Sequence, residues 1–229
     1  MHLTIGNKLY SSWSLRPWLV LRAFDLPFTE TVMPLDTPSF ETYRAAAIAK
    51  GASGTVPLLE HNGHVVWETM AIIETIADHA PDAHIWPSDP DARAHARAIS
   101  NEMHAGFTHL RSACPMNLGK RFARRDLGAG VDGDVARITA IWRDARSRFG
   151  ASGGGPFLYG AFSAADAMFA PVVTRLETYS FDVADDTAAY MSAVTNHPAF
   201  REWRTAALEE PWVVDADEID APCLENYRA

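Results

Sequence analysis

The sequence predicts an α/β fold followed by an all-helical region, α/β plus all-α, and three observations carry that prediction. The first eighty residues alternate short strands with helical segments in the order βαβα and then ββα. An Asn62-Gly63 pair between two strand-like runs predicts a tight hairpin. From residue 91 onward the apolar residues recur with a helical period, and no convincing strand is found. We therefore expect a small mixed four-stranded sheet, covered by helices and followed by further helices.

The first two strands and the helix between them predict a parallel pair. Residues 2–6 read as a short strand, and a helix capped by Ser14 or a neighbouring serine runs to about residue 25. Pro17 is expected in the first turn of this helix, where its missing N–H costs nothing. Residues 27–33 alternate like a strand, and residues 38–49 predict a second helix. A β-α-β unit implies parallel strands with a right-handed crossover.

Two strands and a helix start form the stretch around which the chain is organised. Residues 55–60 and 64–67 predict antiparallel strands on either side of the hairpin turn. Pro57 lies at the head of the first of these strands, where it cannot donate to the ladder. Glu68 and Thr69 then open a helix, and they place a carboxylate and a hydroxyl beside free backbone N–H groups. Such a position suits the charged ends of a ligand.

The remainder of the chain predicts a linker and a helical domain. Three prolines in the segment 81–90 indicate a linker between a first domain, residues 1–80, and a second, residues 91–229. Residues 150–156 read as a loop, and Ser163 with Asp166 forms a capping-box-like helix start. The predicted helices cover residues 91–112, 134–149, 163–179, 186–194 and 198–208.

Composition excludes several classes of function. The 20 Lys and Arg residues against 29 Asp and Glu residues give a net charge of −9, which argues against a general nucleic-acid or anionic-membrane binder. The two cysteines have no metal or redox spacing, which fits a reducing, cytoplasmic location. No signal peptide is recognised, and no apolar run approaches the ~18 residues of a membrane span. Glu102, His104 and His109 share a helical segment, but their spacing is not a known metal-ligand pattern.

The order of elements and four motifs resemble the cytosolic glutathione transferases. The motifs are YSSWSLRPW, TVPLL with its proline, WETMAIIETIA, and the capping segment FLYGAFSAADAMFAPVV. The S-S-x-S-x-R run at residues 11–16 is most similar to the serine-type classes, and to the zeta class in particular. That class has a cysteine where this chain has Trp13. The resemblance spans nearly the whole chain and implies a thioredoxin-like N-terminal domain, an all-helical C-terminal domain and a homodimer.

The resemblance also implies where the sulfur of glutathione would lie. Ser11 is the first candidate for the hydroxyl that donates to the thiolate, Ser12 is the second and Ser14 the third. Tyr10 is the rival, because other classes use a tyrosine hydroxyl near this point. The competing interpretation is that the serines only cap the helix. Arg16 has two interpretations as well, one as a carboxylate ligand and one as a structural residue.

The rest of the implied glutathione site follows the strand edge. The peptide backbone of glutathione would pair with Val56, beside a cis Pro57. Glu68 would bind the γ-glutamyl ammonium, and Thr69 with the helix N–H groups would bind the γ-glutamyl carboxylate. Lys50, in the preceding loop, could meet the glycyl carboxylate, although a solvated surface lysine is equally compatible with the sequence.

The implied reaction is attack of the glutathione sulfur on a small electrophile, without a metal. One alternative is a glutathione-dependent cis–trans isomerase of the maleylacetoacetate type, which Trp13 in place of cysteine weakens. A second alternative is a non-catalytic member that binds glutathione or a protein partner. The electrophile is not identified by the sequence, because its pocket would be built from helical-domain side chains. Trp13, Met103, Phe107, Met116 and Trp212 are candidates for that pocket, and core packing is expected for at least half of them.

Overall fold

The computed structural model describes residues 1–150 and 153–228, and its first part contains the expected mixed sheet. The strand order is β2-β1-β3-β4. The first strand pairs parallel with β2 and antiparallel with β3, and β3 pairs antiparallel with β4. This confirms the predicted parallel pair and hairpin. The strands are β1 (His2–Ile5), β2 (Thr29–Val32), β3 (Leu58–His61) and β4 (His64–Trp67).

The hairpin turn has the backbone that its sequence predicts. Asn62 has φ 50° and Gly63 has φ 79°. A two-residue turn of this kind needs positive φ at both positions, and asparagine and glycine adopt it most readily. Three helices accompany the sheet: α1 (Ser12–Ala23), α2 (Pro38–Ala49) and α3 (Thr69–His79).

Pro17 lies in the second turn of α1, so the prediction of a first-turn proline was wrong. Ser12 is the first helical residue because the cap is Ser11, one of the neighbouring serines, which moves the helix start back. Pro17 has no N–H to donate to the carbonyl of Trp13, four residues earlier. The hydroxyl of Thr69 donates to that carbonyl instead, at 3.1 Å. The proline therefore creates an acceptor that joins α1 to the start of α3.

The second part of the chain is mainly helical, as predicted. The helices are α4 (Pro90–Ala105), α5 (Thr108–Ala113), α6 (Ala129–Ala145), α7 (Ala164–Thr178), α8 (Asp185–Asn196) and α9 (Pro198–Glu209). A π-helical turn, Arg146–Gly150, extends α6. Ala151 and Ser152 of the predicted loop lie outside the described residues.

The single helix predicted over residues 91–112 is broken into α4 and α5. Gly106 ends α4 with an extended backbone, and Phe107 has a left-handed φ of 57°. Met103, Phe107 and Leu110 are nevertheless all buried in one core. The spacing of apolar residues continues across the break because both helices face the same core. The period of apolar residues alone therefore did not indicate the break.

The prediction of no strand after residue 91 was also wrong. Two short strands, β5 (Lys120–Phe122) and β6 (Cys223–Asn226), pair antiparallel. Arg121 and Glu225 of this pair are 104 residues apart and form an ion pair at 3.1 Å. Strands this short show no usable alternation, and their pairing depends on a contact that local sequence does not record. The pairing ties the C-terminal segment to the α5–α6 connection.

The start of α7 is fastened from inside the protein by Asp166, which is fully buried. One carboxylate oxygen accepts from the backbone N–H of Ser163 at 2.9 Å and from its hydroxyl at 3.0 Å. The other accepts from the N–H of Leu158 and the hydroxyl of Tyr190, both at 3.1 Å. This confirms the predicted capping box and gives Asp166 a structural role.

The end of α9 holds the loop that precedes α1. The carboxylate of Glu210 accepts from the N–H groups of Lys8 at 2.8 Å and Leu9 at 3.2 Å. The indole of Trp203 donates to the carbonyl of Lys8 at 2.8 Å. The α1 helix also joins the two parts of the chain, because Arg16 donates to the carbonyl of Met168 in α7 at 2.9 Å.

The predicted domain boundaries at residues 80 and 91 stay a prediction. The segment between them contains a short 3₁₀ helix, Pro81–Ala83, and leads into α4. Within residues 1–150 and 153–228, no helix combines the length and the apolar character needed to cross a bilayer.

We expect Asp166→Asn to lower the free energy of unfolding by about 2–3 kcal/mol. An amide keeps one acceptor oxygen and turns an NH₂ group toward buried donors, which leaves those donors unpaired. Urea unfolding followed by circular dichroism measures the loss. Asp132→Asn in the first turn of α6 is the matched control: Asp132 is exposed and pairs with Arg124, and we expect a loss below about 1 kcal/mol. Equal losses would contradict the capping role.

Candidate functional site

The start of α1 and the loop before β3 approach each other at Gly6. A Cβ at this position would lie 3.1 Å from Ser11 Cβ and 3.1 Å from Val56 Cγ2. The N–H of Gly6 donates to the hydroxyl of Ser14 at 3.0 Å. The missing side chain therefore allows the helix start to contact the loop.

The loop before β3 presents an unpaired edge. The Val56-Pro57 peptide bond is cis, as the resemblance implies. No hydrogen bond joins the N–H or the carbonyl of Val56 to another described residue. The neighbouring carbonyl of Thr55 accepts from the hydroxyl of Tyr43 at 2.9 Å. Val56 thus offers one donor and one acceptor to a peptide lying beside the loop.

The start of α3 is also open. Its cap residue, Glu68, has a φ of 69° and a ψ of 123°, and no side chain caps the helix. A non-glycine residue at such an angle is costly and is often found at ligand sites. The Thr69 hydroxyl is already used on the carbonyl of Trp13, and only 2% of Thr69 is exposed. The backbone N–H groups, more than this hydroxyl, are what the helix start can offer to an anion.

A helical-domain histidine completes this side of the site. His104 Nε2 lies 3.7 Å from a carboxylate oxygen of Glu68, and its ring packs against the Trp13 indole with centroids 5.1 Å apart. Burial lowers the pKa of His104, while the charge of Glu68 acts in the opposite direction. These side chains face a cavity of about 300 Å³ whose walls include Trp13, Val56, Pro57, Glu68, Thr69 and His104. The structure thus brings together four of the site residues predicted from the sequence.

The first two of the three candidate serines have different partners, and the third, Ser14, is fully buried. Ser11 caps α1: its hydroxyl donates to the Ser14 hydroxyl at 2.8 Å and accepts from the Ser14 N–H at 3.4 Å. The Ser12 hydroxyl accepts from Arg175 Nη2 at 3.4 Å and donates to no described residue. Both serines line a cavity of about 470 Å³, which Val56 also lines. Ser12 therefore has a proton to offer, whereas Ser11 would have to leave Ser14.

Tyr10 lines the same cavity but is held by the C-terminal segment. Its hydroxyl donates to the carboxylate of Glu218 at 2.7 Å. Burial, with the charge of Glu218, raises the pKa of Tyr10. Glu218 also accepts from Asn117 at 3.0 Å and from Lys120 at 2.6 Å. The tyrosine hydroxyl is therefore committed to a fixed acceptor.

Lys50 lines neither cavity, and the same is true of the candidates Ser14 and Arg16. Its ammonium pairs with Glu60 at 2.5 Å on the surface. Arg16 has the structural interpretation: it is 1% exposed and donates to the carbonyls of Met168 at 2.9 Å and Ser12 at 2.7 Å.

Three of the five candidates for the apolar pocket, Met103, Phe107 and Met116, are buried in the core, as expected for at least half of them. Trp13 and Met116 line the larger cavity. Trp212 is on neither cavity wall.

Sequence reasoning missed four charged residues on the cavity walls: Arg44, Arg111, Arg175 and Asp217. A signal existed for one of them. Arg175 lies in a helix whose neighbouring residues are almost all buried, and an arginine inside such a run indicates a special role. The others lie in mixed segments where charge is ordinary.

Two of the side chains weighed as metal ligands have other partners in the structure, and both cysteines lie outside the two cavities. Glu102 pairs with Arg137 and His109 with Asp134, and the described residues contain no group of three or more metal-binding side chains. Burial raises the pKa of the Cys114 thiol to about 11, and Cys223 is exposed on β6.

Comparison with known families decides the relationship. The family model of the glutathione S-transferase N-terminal domain matches residues 10–79, and that of the C-terminal domain matches residues 118–206. Together they cover more than half of the chain. The chain belongs to the glutathione S-transferase family. This confirms the resemblance and the fold class, a thioredoxin-like sheet followed by a helical region.

Individual members of the glutathione S-transferase family are distant. Protein IN2-1 homolog A of rice is 32% identical over 126 residues, which are 55% of this chain and 46% of that protein. A probable maleylacetoacetate isomerase of Caenorhabditis elegans is 32% identical over 128 residues, 52% of this chain and 58% of that protein. The matches thus span about half the length of these relatives. A solved glutathione transferase homolog from Burkholderia, with bound glutathione, has a TM-score of 0.67, 17% identity, and coverage of 91% of this chain and 98% of that one.

We expect Thr69→Val to lower the free energy of unfolding by about 1–2 kcal/mol, because the Trp13 carbonyl loses its donor and Pro17 has no N–H to replace it. Urea unfolding measures the change. The matched control is Thr75→Val in the same helix, whose hydroxyl donates at 2.8 Å to the carbonyl of Ala71. That carbonyl keeps its helical N–H partner, so a loss below about 0.5 kcal/mol is expected. A Thr69→Val loss no larger than the control would contradict the proposed link between α1 and α3.

Proposed function

We propose that the protein binds glutathione and conjugates it, through its sulfur, to a small electrophile. The observation that carries this proposal is the open start of α3: Glu68 has positive φ, no side chain caps the helix, and the same cavity holds the unpaired Val56. A carboxylate and free N–H groups suit the ammonium and carboxylate of a γ-glutamyl group. The peptide edge of Val56 suits the amide backbone of the same ligand.

In this arrangement the γ-glutamyl ammonium binds Glu68, and its carboxylate binds the N–H groups at Thr69. The cysteinyl backbone pairs with Val56 beside Pro57. For the glycyl carboxylate the sequence predicts Lys50, and Arg44 is the second cation on that side. We favour Arg44, because it lines the larger cavity while Lys50 pairs with Glu60.

The sulfur would lie beside the two serines at the start of α1, and we propose Ser12 as the main donor. A thiol of pKa ~8.5 is about 3% ionised at pH 7, and lowering that pKa by about 2 units requires about 2.7 kcal/mol. A hydroxyl donating to an anion supplies ~1.5–3 kcal/mol, and a helix start ~0.3–1 kcal/mol. Ser12 has the free proton for this bond, and Ser11 is the sequence-based first choice whose proton is held by Ser14.

The gain in rate from this ionisation is small. A less basic thiolate is a weaker nucleophile, with a Brønsted coefficient of ~0.5, so most of the extra ionisation is offset. Holding the electrophile against the sulfur must therefore supply most of the acceleration. This makes the second-substrate cavity the part of the site that decides what the protein does.

Thiolate titration tests the donor. We expect Ser12→Ala to raise the pKa of bound glutathione by at least about 1 unit, because the anion loses a hydroxyl donor. Ser11→Ala should raise it less, and Tyr10→Phe should leave it unchanged, since that hydroxyl serves Glu218. The readout is thiolate absorbance near 240 nm against pH, with glutathione affinity measured in parallel. A larger rise in Ser11→Ala would assign the donor to Ser11, and binding without any shift in wild type would favour a non-catalytic glutathione-binding member.

A second candidate activity is glutathione-dependent cis–trans isomerisation. It is favoured by the similarity to the probable maleylacetoacetate isomerase and by cationic side chains on the cavity walls. It needs the same bound thiolate, which adds to the double bond and is then expelled. Turnover of maleylacetone to its trans isomer, with glutathione unconsumed, would assign the isomerase. A homodimer remains a prediction from the resemblance, and a cytoplasmic location remains a prediction from the cysteine spacing.

A further inference from the structure

Two histidines meet at the end of the N-terminal sheet that lies opposite the proposed glutathione site. His61 is the last residue of β3, and His79 is the last residue of α3. Their rings are in contact, with centroids 4.4 Å apart and ring planes at 87°. The chain order explains this contact, because β4 leads away from the hairpin turn and α3 then runs back toward it.

This histidine pair is separate from the candidate functional site. At about 1.5 Å per residue, the α3 helix places His79 about 15 Å along its axis from Thr69. Pro57 precedes β3, whereas His61 ends it. Neither histidine lines either of the two cavities described above. The pair therefore needs an explanation of its own.

The His79 ring has one nitrogen fixed and one available. Its Nδ1 lies 2.8 Å from the carbonyl oxygen of Thr75, one helical turn earlier. A carbonyl oxygen only accepts hydrogen bonds, so we assign the proton of the neutral ring to Nδ1, which leaves the lone pair on Nε2. A histidine that binds a metal commonly donates its other ring N–H to such a backbone carbonyl.

The His61 ring has no competing polar partner. Within the part of the chain that the structure describes, its nitrogens form neither a hydrogen bond nor an ion pair. Partial desolvation, with the positive charge that His79 carries when protonated, lowers the pKa of His61. A metal ion binds only the deprotonated nitrogen of a histidine, so the lowered pKa favours the form that can act as a ligand.

The spacing of the two rings suits two ligands of one metal ion. Metal–nitrogen bonds are about 2.0–2.1 Å long, so two imidazoles bound at a right angle have centroids about 4.5 Å apart. The observed distance is 4.4 Å. Both side chains reach the surface, where side chains reorient within nanoseconds. Rotation of the rings is therefore sufficient to direct both Nε2 atoms at a single ion.

We propose that His61 and His79 bind a divalent transition-metal ion of the Ni²⁺, Cu²⁺ and Zn²⁺ group. The protein supplies two imidazole nitrogens, and water molecules occupy the remaining coordination positions. Imidazole suits these ions, whereas Mg²⁺ and Ca²⁺ prefer oxygen ligands. The bound ion joins the end of β3 to the end of α3. This site needs no glutathione and is independent of the proposed reaction.

Calorimetric titration of the untagged full-length chain with NiCl₂ tests the site. Glutathione is left out, because its thiol also binds metals. Losing a partner of a ligand costs about 10–100-fold in metal affinity, so losing a ligand itself should cost at least about 10-fold. We therefore expect His61→Gln and His79→Gln each to weaken Ni²⁺ binding by that factor, and MgCl₂ to give no heat of binding to wild type.

Two further histidines provide matched controls. His64 lies directly opposite His61 across the hairpin, and His109 is an exposed histidine in α5 that pairs with Asp134. His64→Gln and His109→Gln should leave the affinity for Ni²⁺ unchanged, because neither side chain is one of the two ligands.

Nitrogen NMR gives a second readout that a change in stability would not reproduce. In protein labelled with ¹⁵N at its nine histidines, Zn²⁺ should shift the Nε2 resonances of two rings. These two should be the resonances that are missing from His61→Gln and from His79→Gln.

Three outcomes would overturn the proposal. One is a wild-type protein that gives no heat of binding with Ni²⁺. Another is Ni²⁺ binding that both His61→Gln and His79→Gln retain at full affinity, because the ion would then lie elsewhere on the protein. The third is a loss in His64→Gln as large as the loss in His61→Gln, which would contradict the assignment of the two ligands.

Discussion

One hydrogen bond, from the Thr69 hydroxyl to the carbonyl of Trp13, fixes the geometry on which the site depends. The Trp13 carbonyl is free to accept this bond because Pro17 has no N–H to donate to it. A proline in α1 thus leaves an acceptor for α3. Gly6 then allows the loop at Val56 to reach the same point. The start of α1, the strand edge and the start of α3 converge through these local contacts, in addition to the apolar core that α1 and α3 share.

The first eighty residues were predictable because their signals are local. The Asn62-Gly63 turn, the proline at the strand head and the change in the period of apolar residues each determine the backbone of only the neighbouring few residues. The break at Phe107 escaped prediction because apolar residues on both sides face one core. The β5–β6 pairing escaped because its partners lie far apart in sequence, where no periodicity can connect them.

The candidate site also combines residues with local sequence signals and residues brought together only by long-range packing. Glu68 and Thr69 could be proposed because a helix start is visible in the sequence, and Val56 because the resemblance implies a ligand at that strand edge. Arg111 and Arg175 could not, because they reach the serines only through the packing of helices from the second part of the chain. Their side-chain directions follow from helix positions that sequence does not give. The side proposed for glutathione is thus predictable from the sequence, and the side proposed for its reaction partner is not.

The fastening of the Lys8–Leu9 loop by Glu210 and Trp203 has an evolutionary consequence. The loop leads directly into the serine turn, so its backbone is shaped by the far end of the chain. A thioredoxin-like unit transplanted onto a different helical partner would lose these acceptors and donors. Sequence drift at the end of α9 is therefore constrained by the loop that it binds before α1, and the two parts must diversify together.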